Sequence, residues 1–156
     1  MDTSPSRERV DVERLNADLS RVDVGSDEFD AVWGGTDQDR TLGDVYVLTA
    51  VVDGSDITRD VIEDLSDRFR DVLIERSREY DTTTTIIGYL VFCCTDPAED
   101  VIEEATTYTV AERRTNVFPL VYDVSDDTVH RHEIPRLKGR GIYRRQVEDV
   151  ERLFEA

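Results

Sequence analysis

The densest run of chemistry-bearing side chains is Arg136-Leu137-Lys138-Gly139-Arg140-Gly141-Ile142-Tyr143-Arg144-Arg145. Glycines let a backbone approach a ligand closely, the helix N-terminus expected to follow attracts anions, and arginine forks hold carboxylate or phosphate bidentately. Arg136, Lys138, Arg140, Arg144 and Arg145 are therefore the expected binding residues, with Tyr143 available to stack on a base. Two specific phosphate motifs are excluded. Arg144 stands where GxGxxG would have its third glycine, and no GK followed by Ser or Thr occurs. The bland use of the same arginines is pairing with the chain's own carboxylates or those of a neighbouring subunit.

Three expected strands close on aspartate: Asp53, Asp96 and Asp123. Parallel pairing of those strands would gather the carboxylates at the edge where open α/β sheets bind ligands, and would suit Mg²⁺ for phosphoryl transfer or nuclease-like catalysis. Local structure explains each position as well: Asp53 precedes Gly54 in a turn, Asp96 precedes Pro97 and Glu99 as a helix cap, and Asp123 lies beside a hairpin turn. Catalysis by these three is thus the alternative reading, and no catalytic residue is assigned in the leading one. His130 and His132, the only histidines, share one face if they lie on a strand, and with Cys93 or Cys94 they could ligate zinc. No CxxC accompanies them, so no metal site is expected. Adjacent cysteines on a strand point to opposite faces and read as small buried hydrophobes. Before Lys138 the acidic position of a restriction-endonuclease core is held by Arg136, and GxSxG is absent. Trp33, in Trp33-Gly34-Gly35, is either an interface anchor or a plug over the core.

The elements that must position these groups follow from periodicity. Val12, Leu15, Leu19 and Val22 mark one helical face, and Gly25 to Gly43 reads as a long loop around Phe29, Val32 and Trp33. Residues 1–44 are therefore expected to be an N-terminal helix and loop, and 45–156 the core of one domain. Val45–Val52 and Thr84–Cys94 are apolar enough to be strands buried on both faces. Between them Ile57, Val61, Leu65, Phe69, Val72 and Leu73 repeat at helical spacing, with Ser55 or Asp56 as cap. A helix from Asp96-Pro97 carries Val101, Ile102, Ala105 and Tyr108 inward. Val117–Val124 and Thr128–Ile134 form a hairpin across Ser125-Asp126-Asp127, and a closing helix carries Tyr143, Val147, Val150 and Phe154. The order α-β-α-β-α-β-β-α predicts an α/β fold, a mixed sheet covered by helices. From residue 45 onward this order is similar to that of the thioredoxin fold, without the CxxC of its redox site.

Composition sets the environment. The chain of 156 residues has 36 acidic and 19 basic side chains, a formal net charge of −17, and 18 of its basic residues are arginine, with Lys138 the one lysine. Small soluble domains carry about 2 to 8 charges net, so the excess calls for screening, which at about 1 M salt acts within roughly 3 Å. The balance is similar to that of halophilic archaeal proteins. The longest apolar run, Ile86 to Cys94, is far short of the roughly 18 residues needed to cross a bilayer. The first thirty residues have no apolar h-region, so a cytoplasmic location is expected.

These readings converge on a non-enzymatic binding or regulatory module that uses no cofactor and contacts a protein partner or a second copy through its basic segment. Nucleic acid is the other partner class, and membrane is excluded. Far-ultraviolet circular dichroism should show the fold lost as KCl is removed below a few hundred millimolar. Spectra that stay unchanged on desalting would refute the halophilic reading.

Overall fold

The computed structural model describes residues 20–21, 29, 31–54, 57–80, 82–112, 115–125, 128–132 and 140–154. In chain order its elements are β1 (Ser20–Arg21), β2 (Ala31–Asp39), β3 (Gly43–Asp53), α1 (Arg59–Ser77), β4 (Thr85–Cys94), α2 (Glu99–Thr107), β5 (Val110–Glu112), β6 (Thr115–Asp123), β7 (Thr128–His130) and α3 (Arg140–Phe154). The strands form one mixed seven-stranded sheet in the order β1-β2-β3-β4-β6-β5, with β7 also on β6. β3, β4 and β6 run parallel, and every other pairing is antiparallel. The class is mixed α/β, as the alternation of elements predicts. The likeness to the thioredoxin fold extends only to element order: here the three parallel strands lie side by side in chain order.

Strand alternation splits the core into two layers. Tyr46, Leu48, Ala50 and Val52 of β3 join Ile86, Leu90 and Phe92 of β4 on the face covered by α1 and α2. Val45, Val47 and Val51 join Ile87, Tyr89 and Val91 on the face that receives Ile142, Tyr143 and Val150 of α3. Every residue of β4 is buried, as a strand with helices on both faces must be. Gly88 sets the depth of α1, because a Cβ there would lie 2.5 Å from Leu73 Cδ1 and 2.8 Å from Phe69 Cε2. Pro119 needs no hydrogen-bond partner for a missing N–H. It falls between Thr115–Val117, which pair with β5, and Val121–Asp123, which pair with β7, so the outer edge of β6 is interrupted there.

Several boundaries differ from expectation for identifiable reasons. The region 31–39 is a strand, not a loop, and pairs with β3 over its whole length. Its polar, glycine-bearing text hid it, yet Gly34 is buried where Tyr46 and Leu48 close over the backbone. β2 thereby joins the same sheet as residues beyond 44. All four residues that mark the expected N-terminal helix, Val12, Leu15, Leu19 and Val22, lie outside the described residues, and Ser20–Arg21 between them pair with β2. The cap of α1 is Thr58, whose hydroxyl accepts from Val61 N, and the buried stripe is Ile62, Ser66, Phe69 and Leu73. This stripe lies about one position beyond the expected one, and Val61 is 38% exposed. Ala98 is the N-cap of α2 and makes no side-chain cap bond, so Asp96 does not cap that helix. β6 and β7 form the expected hairpin, though β7 stops at His130. No described helix is long and apolar enough to cross a membrane.

Candidate functional site

The start of α3 decides where the basic segment acts. Residues 133–139, including Arg136 and Lys138, lie outside the described residues, as does the side chain of Arg140. Gly141 lets the helix begin against the β2–β3 turn, since a Cβ at this position would stand 3.1 Å from Thr41 Cγ2. The next residues then point into different surroundings, as successive helical positions 100° apart must. Tyr143 packs edge-on against Phe118, with ring centroids 5.2 Å apart, so its ring is already engaged by the core. Arg144 is exposed, whereas Arg145 is only 3% exposed.

Arg145 is placed inside the molecule and not on its surface. Its Nε donates to Asp149 Oδ2 at 2.8 Å, its Nη1 donates to Asp39 Oδ2 at 3.3 Å, and its Nη2 lies 3.0 Å from Asp37 Oδ2 as an ion pair off hydrogen-bond geometry. Asp149 is fully buried and also accepts the Tyr89 hydroxyl at 2.6 Å. Burial works against the guanidinium charge, but Asp149, with smaller contributions from Tyr89 and Asp39, outweighs it, and the net shift of its pKa is upward. Burial likewise works against ionised Asp39. The backbone N–H groups of Leu42 and Thr41 on Oδ1, at 3.0 and 2.8 Å, prevail together with Arg145 and hold its pKa below the usual carboxylate value. Asp39 therefore closes the hairpin turn with one oxygen and anchors α3 with the other.

Beside this network the turn and the helix enclose a polar cleft of about 260 Å³. Gln38, Arg40 and Thr41 line it from the hairpin, and Arg144 and Glu148 from α3. Arg40 and Arg144 are both exposed, and among the described residues neither has a carboxylate partner. Two uncommitted arginines on a chain of charge −17 are the feature of this region that its own packing does not use.

No protein-family model matches this chain, and comparison with curated proteins and with solved structures gives no match either. Function must therefore be argued from the geometry alone.

The strand-end aspartates are brought to one sheet edge, because β3, β4 and β6 are parallel and Asp53 and Asp123 are level with Cys93 and Cys94 of the strand between them. Asp123 is committed to backbone. Its Oδ1 accepts from Asp96 N at 3.1 Å, Ser125 N at 3.0 Å and Ser125 Oγ at 2.6 Å, which fixes the turn in which Asp96 takes φ 51°. The Asp53 side chain lies outside the described residues. Among the described residues no group of three His, Cys, Asp or Glu side chains is arranged to hold a metal ion.

Cys93 and Cys94 are buried on opposite faces, one in each core layer. Trp33 packs partly buried against the α3-side core. His130 is half-buried at the end of β7. His132 is 3% exposed and leaves the strand, with Nε2 2.9 Å from the Tyr108 carbonyl oxygen. Its backbone is held by Gln146, whose Oε1 accepts from His132 N at 2.9 Å and whose Nε2 donates to His132 O at 3.2 Å. Sequence reasoning missed Asp37, Asp39, Arg40, Tyr89, Gln146 and Asp149. A visible signal existed for one of them, since Asp149 stands four residues after Arg145, the spacing of a helical ion pair.

Two measurements check this geometry. Replacing Arg145 by Met strands buried Asp149 beside Asp37 and Asp39 and should cost about 3–5 kcal/mol in a denaturant titration. Tyr89→Phe removes one bond to a charged group and should cost about 1.5–3 kcal/mol. A loss under about 1 kcal/mol for Arg145→Met would show that the network is not structural. Burial lowers the His132 pKa from 6.5 against the opposing pull of the Tyr108 carbonyl. Its contribution is therefore intact above the unfolded-state value of about 6.5 and is lost as pH falls from there through the folded-state pKa. Wild type should lose more stability than His132→Gln between about pH 7 and 5; parallel curves would contradict this.

Proposed function

We propose that this protein is a binding module, without catalysis of its own, that takes an acidic segment of a protein partner in the cleft between the β2–β3 turn and α3. Arg40 and Arg144 are the contact residues, and in the sequence Arg136, Lys138 and Arg140 stand just before Arg144. The observation that carries this reading is the pair of exposed guanidinium groups with no carboxylate partner among the described residues. Arginine suits the task because its fork binds carboxylate bidentately and is weakly hydrated. The buried Arg145 serves the same surface indirectly, since its ion pairs hold both walls of the cleft together.

A protein partner is favoured over nucleic acid because the chain's overall charge of −17 repels a polyphosphate approaching from a distance. An acidic peptide carries less charge density, and a second copy of an equally acidic chain belongs to the same class of partner. The excess of carboxylates and the preference for arginine support a working environment of concentrated salt in the cytoplasm of a halophile.

The test is fluorescence anisotropy of a labelled Asp/Glu-rich peptide and a labelled single-stranded DNA of equal length, in about 1 M KCl, where only close contacts escape screening. Wild type should bind the peptide, and Arg40→Glu/Arg144→Glu should lose at least about tenfold in affinity, the effect of two contacts of roughly 0.7 kcal/mol each. Preference for DNA would reassign the partner, and an unchanged affinity in the double variant would remove the cleft from consideration.

A further inference from the structure

The charged side chains that the fold leaves without a partner are sorted to opposite ends of the sheet. On α1 most exposed carboxylates are answered by the helix's own arginines: Asp64 by Arg68, Asp71 by Arg70, Glu75 by Arg78 and Glu79 by Arg76. Arg59 reaches Glu104 at 3.3 Å, Glu63 bonds to Glu104, the Tyr108 hydroxyl donates to Asp67 at 2.7 Å, and Gln38 donates to Asp44 at 3.0 Å. Among the described residues, the carboxylates left with neither a cation nor a hydrogen-bond donor are Asp60, Asp96, Glu99, Asp100, Glu103 and Glu148. The arginines left without a carboxylate are Arg40 and Arg144.

Arg40 lies in the turn that precedes β3, and Arg144 stands beside that turn at the start of α3. The carboxylates are elsewhere. Asp60, Asp96, Glu99 and Asp100 follow the carboxyl ends of the parallel strands β3 and β4, in the first turns of α1 and α2 and the loop that leads to α2. Glu103 comes one helical turn after Glu99, and at 100° per residue Glu99, Asp100 and Glu103 share one exposed side of α2. β3 has 11 residues, so the two ends of the sheet are separated by roughly 35 Å. Screening acts within about 8 Å at physiological ionic strength, so neither end neutralises the other within one molecule. Glu148 is the exception, since it lines the arginine cleft itself.

We propose that copies of this chain associate head to tail, the arginine cleft of one receiving the Glu99, Asp100 and Glu103 side of α2 of the next. This inference rests on the reading of the cleft as a site for an acidic segment, and it names the segment. Carboxylates already fixed on a helix lose less freedom on binding than those of an extended peptide. Because the two patches are different and lie at opposite ends, each contact is heterologous and leaves one cleft and one acidic face unused, so growth is open-ended. Repulsion between chains of charge −17 opposes the contact in dilute salt. Concentrated salt removes that long-range repulsion and spares pairs in direct contact.

Sedimentation velocity reads the assembly, in about 1 M KCl and at protein concentrations up to about 1 mM, the range in which a few surface pairs hold two molecules together. The weight-average mass of the wild type should rise with concentration without levelling at the dimer. Glu99→Gln/Asp100→Asn/Glu103→Gln should weaken association at least about tenfold, although it makes the chain less acidic and by net charge alone would favour association. These side chains are exposed and unbonded, so the variant keeps its fold, which circular dichroism checks. Arg40→Gln/Arg144→Gln should weaken association as much. An equimolar mixture of the two variants should form a dimer and nothing larger, since it pairs one intact cleft with one intact acidic face. A wild type that stays monomeric, a plateau at the dimer, or undiminished association of the carboxylate variant overturns the proposal. If a monomeric wild type still binds the labelled acidic peptide, this inference alone falls; if it binds neither, the reading of the cleft falls with it.

Discussion

A guanidinium withdrawn from water must find acceptors for its charge and its N–H groups, or the fold that buries it does not persist. Arg145 meets that demand with carboxylates from two directions: Asp149 on its own helix, and Asp37 and Asp39 on the strand at the far side of β3. Tyr89 ties the same cluster to the central strand. Salt that screens the exposed pairs on α1 has little reach into a cluster whose arginine is 3% exposed. These ion pairs tie α3, and with it the arginine cleft, to the β2–β3 hairpin.

Neighbouring residues share that dependence. Gln146 follows Arg145 and is also fully buried, and its side chain pairs with the His132 backbone much as an adjacent strand would. Tyr143 packs on Phe118, and Arg144 faces the cleft. Four consecutive side chains therefore meet four environments, and slipping the helix so that Arg144 takes the place of Tyr143 would put a charge against Phe118 and leave Gln146 facing the carboxylates. Polar contacts, more than apolar area, specify the register of α3.

The parts of the fold legible in the sequence were those written in apolar periodicity. β3, β4, α1, α2 and the β6–β7 hairpin announce themselves through runs of Val, Ile and Leu and through turn residues. β2 did not, because Gly34, Gly35, Thr36 and Asp37 carry no strand pattern and are held by pairing to β3. The site was legible only as a concentration of charge. Nothing local distinguishes Arg144, which is exposed, from Arg145, which is buried: helical phase separates them, and that phase is set by contacts 106 residues away in the chain. Arg40 is hidden for a different reason, since the polar sequence around it predicts a loop and not the β2–β3 hairpin that presents it.

The break at Pro119 has a bearing on how such a sheet survives in a crowded cell. An uninterrupted outer strand offers a ladder of unsatisfied amides onto which another chain can crystallise a strand of its own. Here β6 is covered at each end by a three-residue strand, and the span left between them includes the one residue type with no amide hydrogen to offer. Along this edge of β6 a foreign strand finds only the three residues between Val117 and Val121, with Pro119 at their centre. The interruption acts as a built-in guard against intermolecular sheet growth.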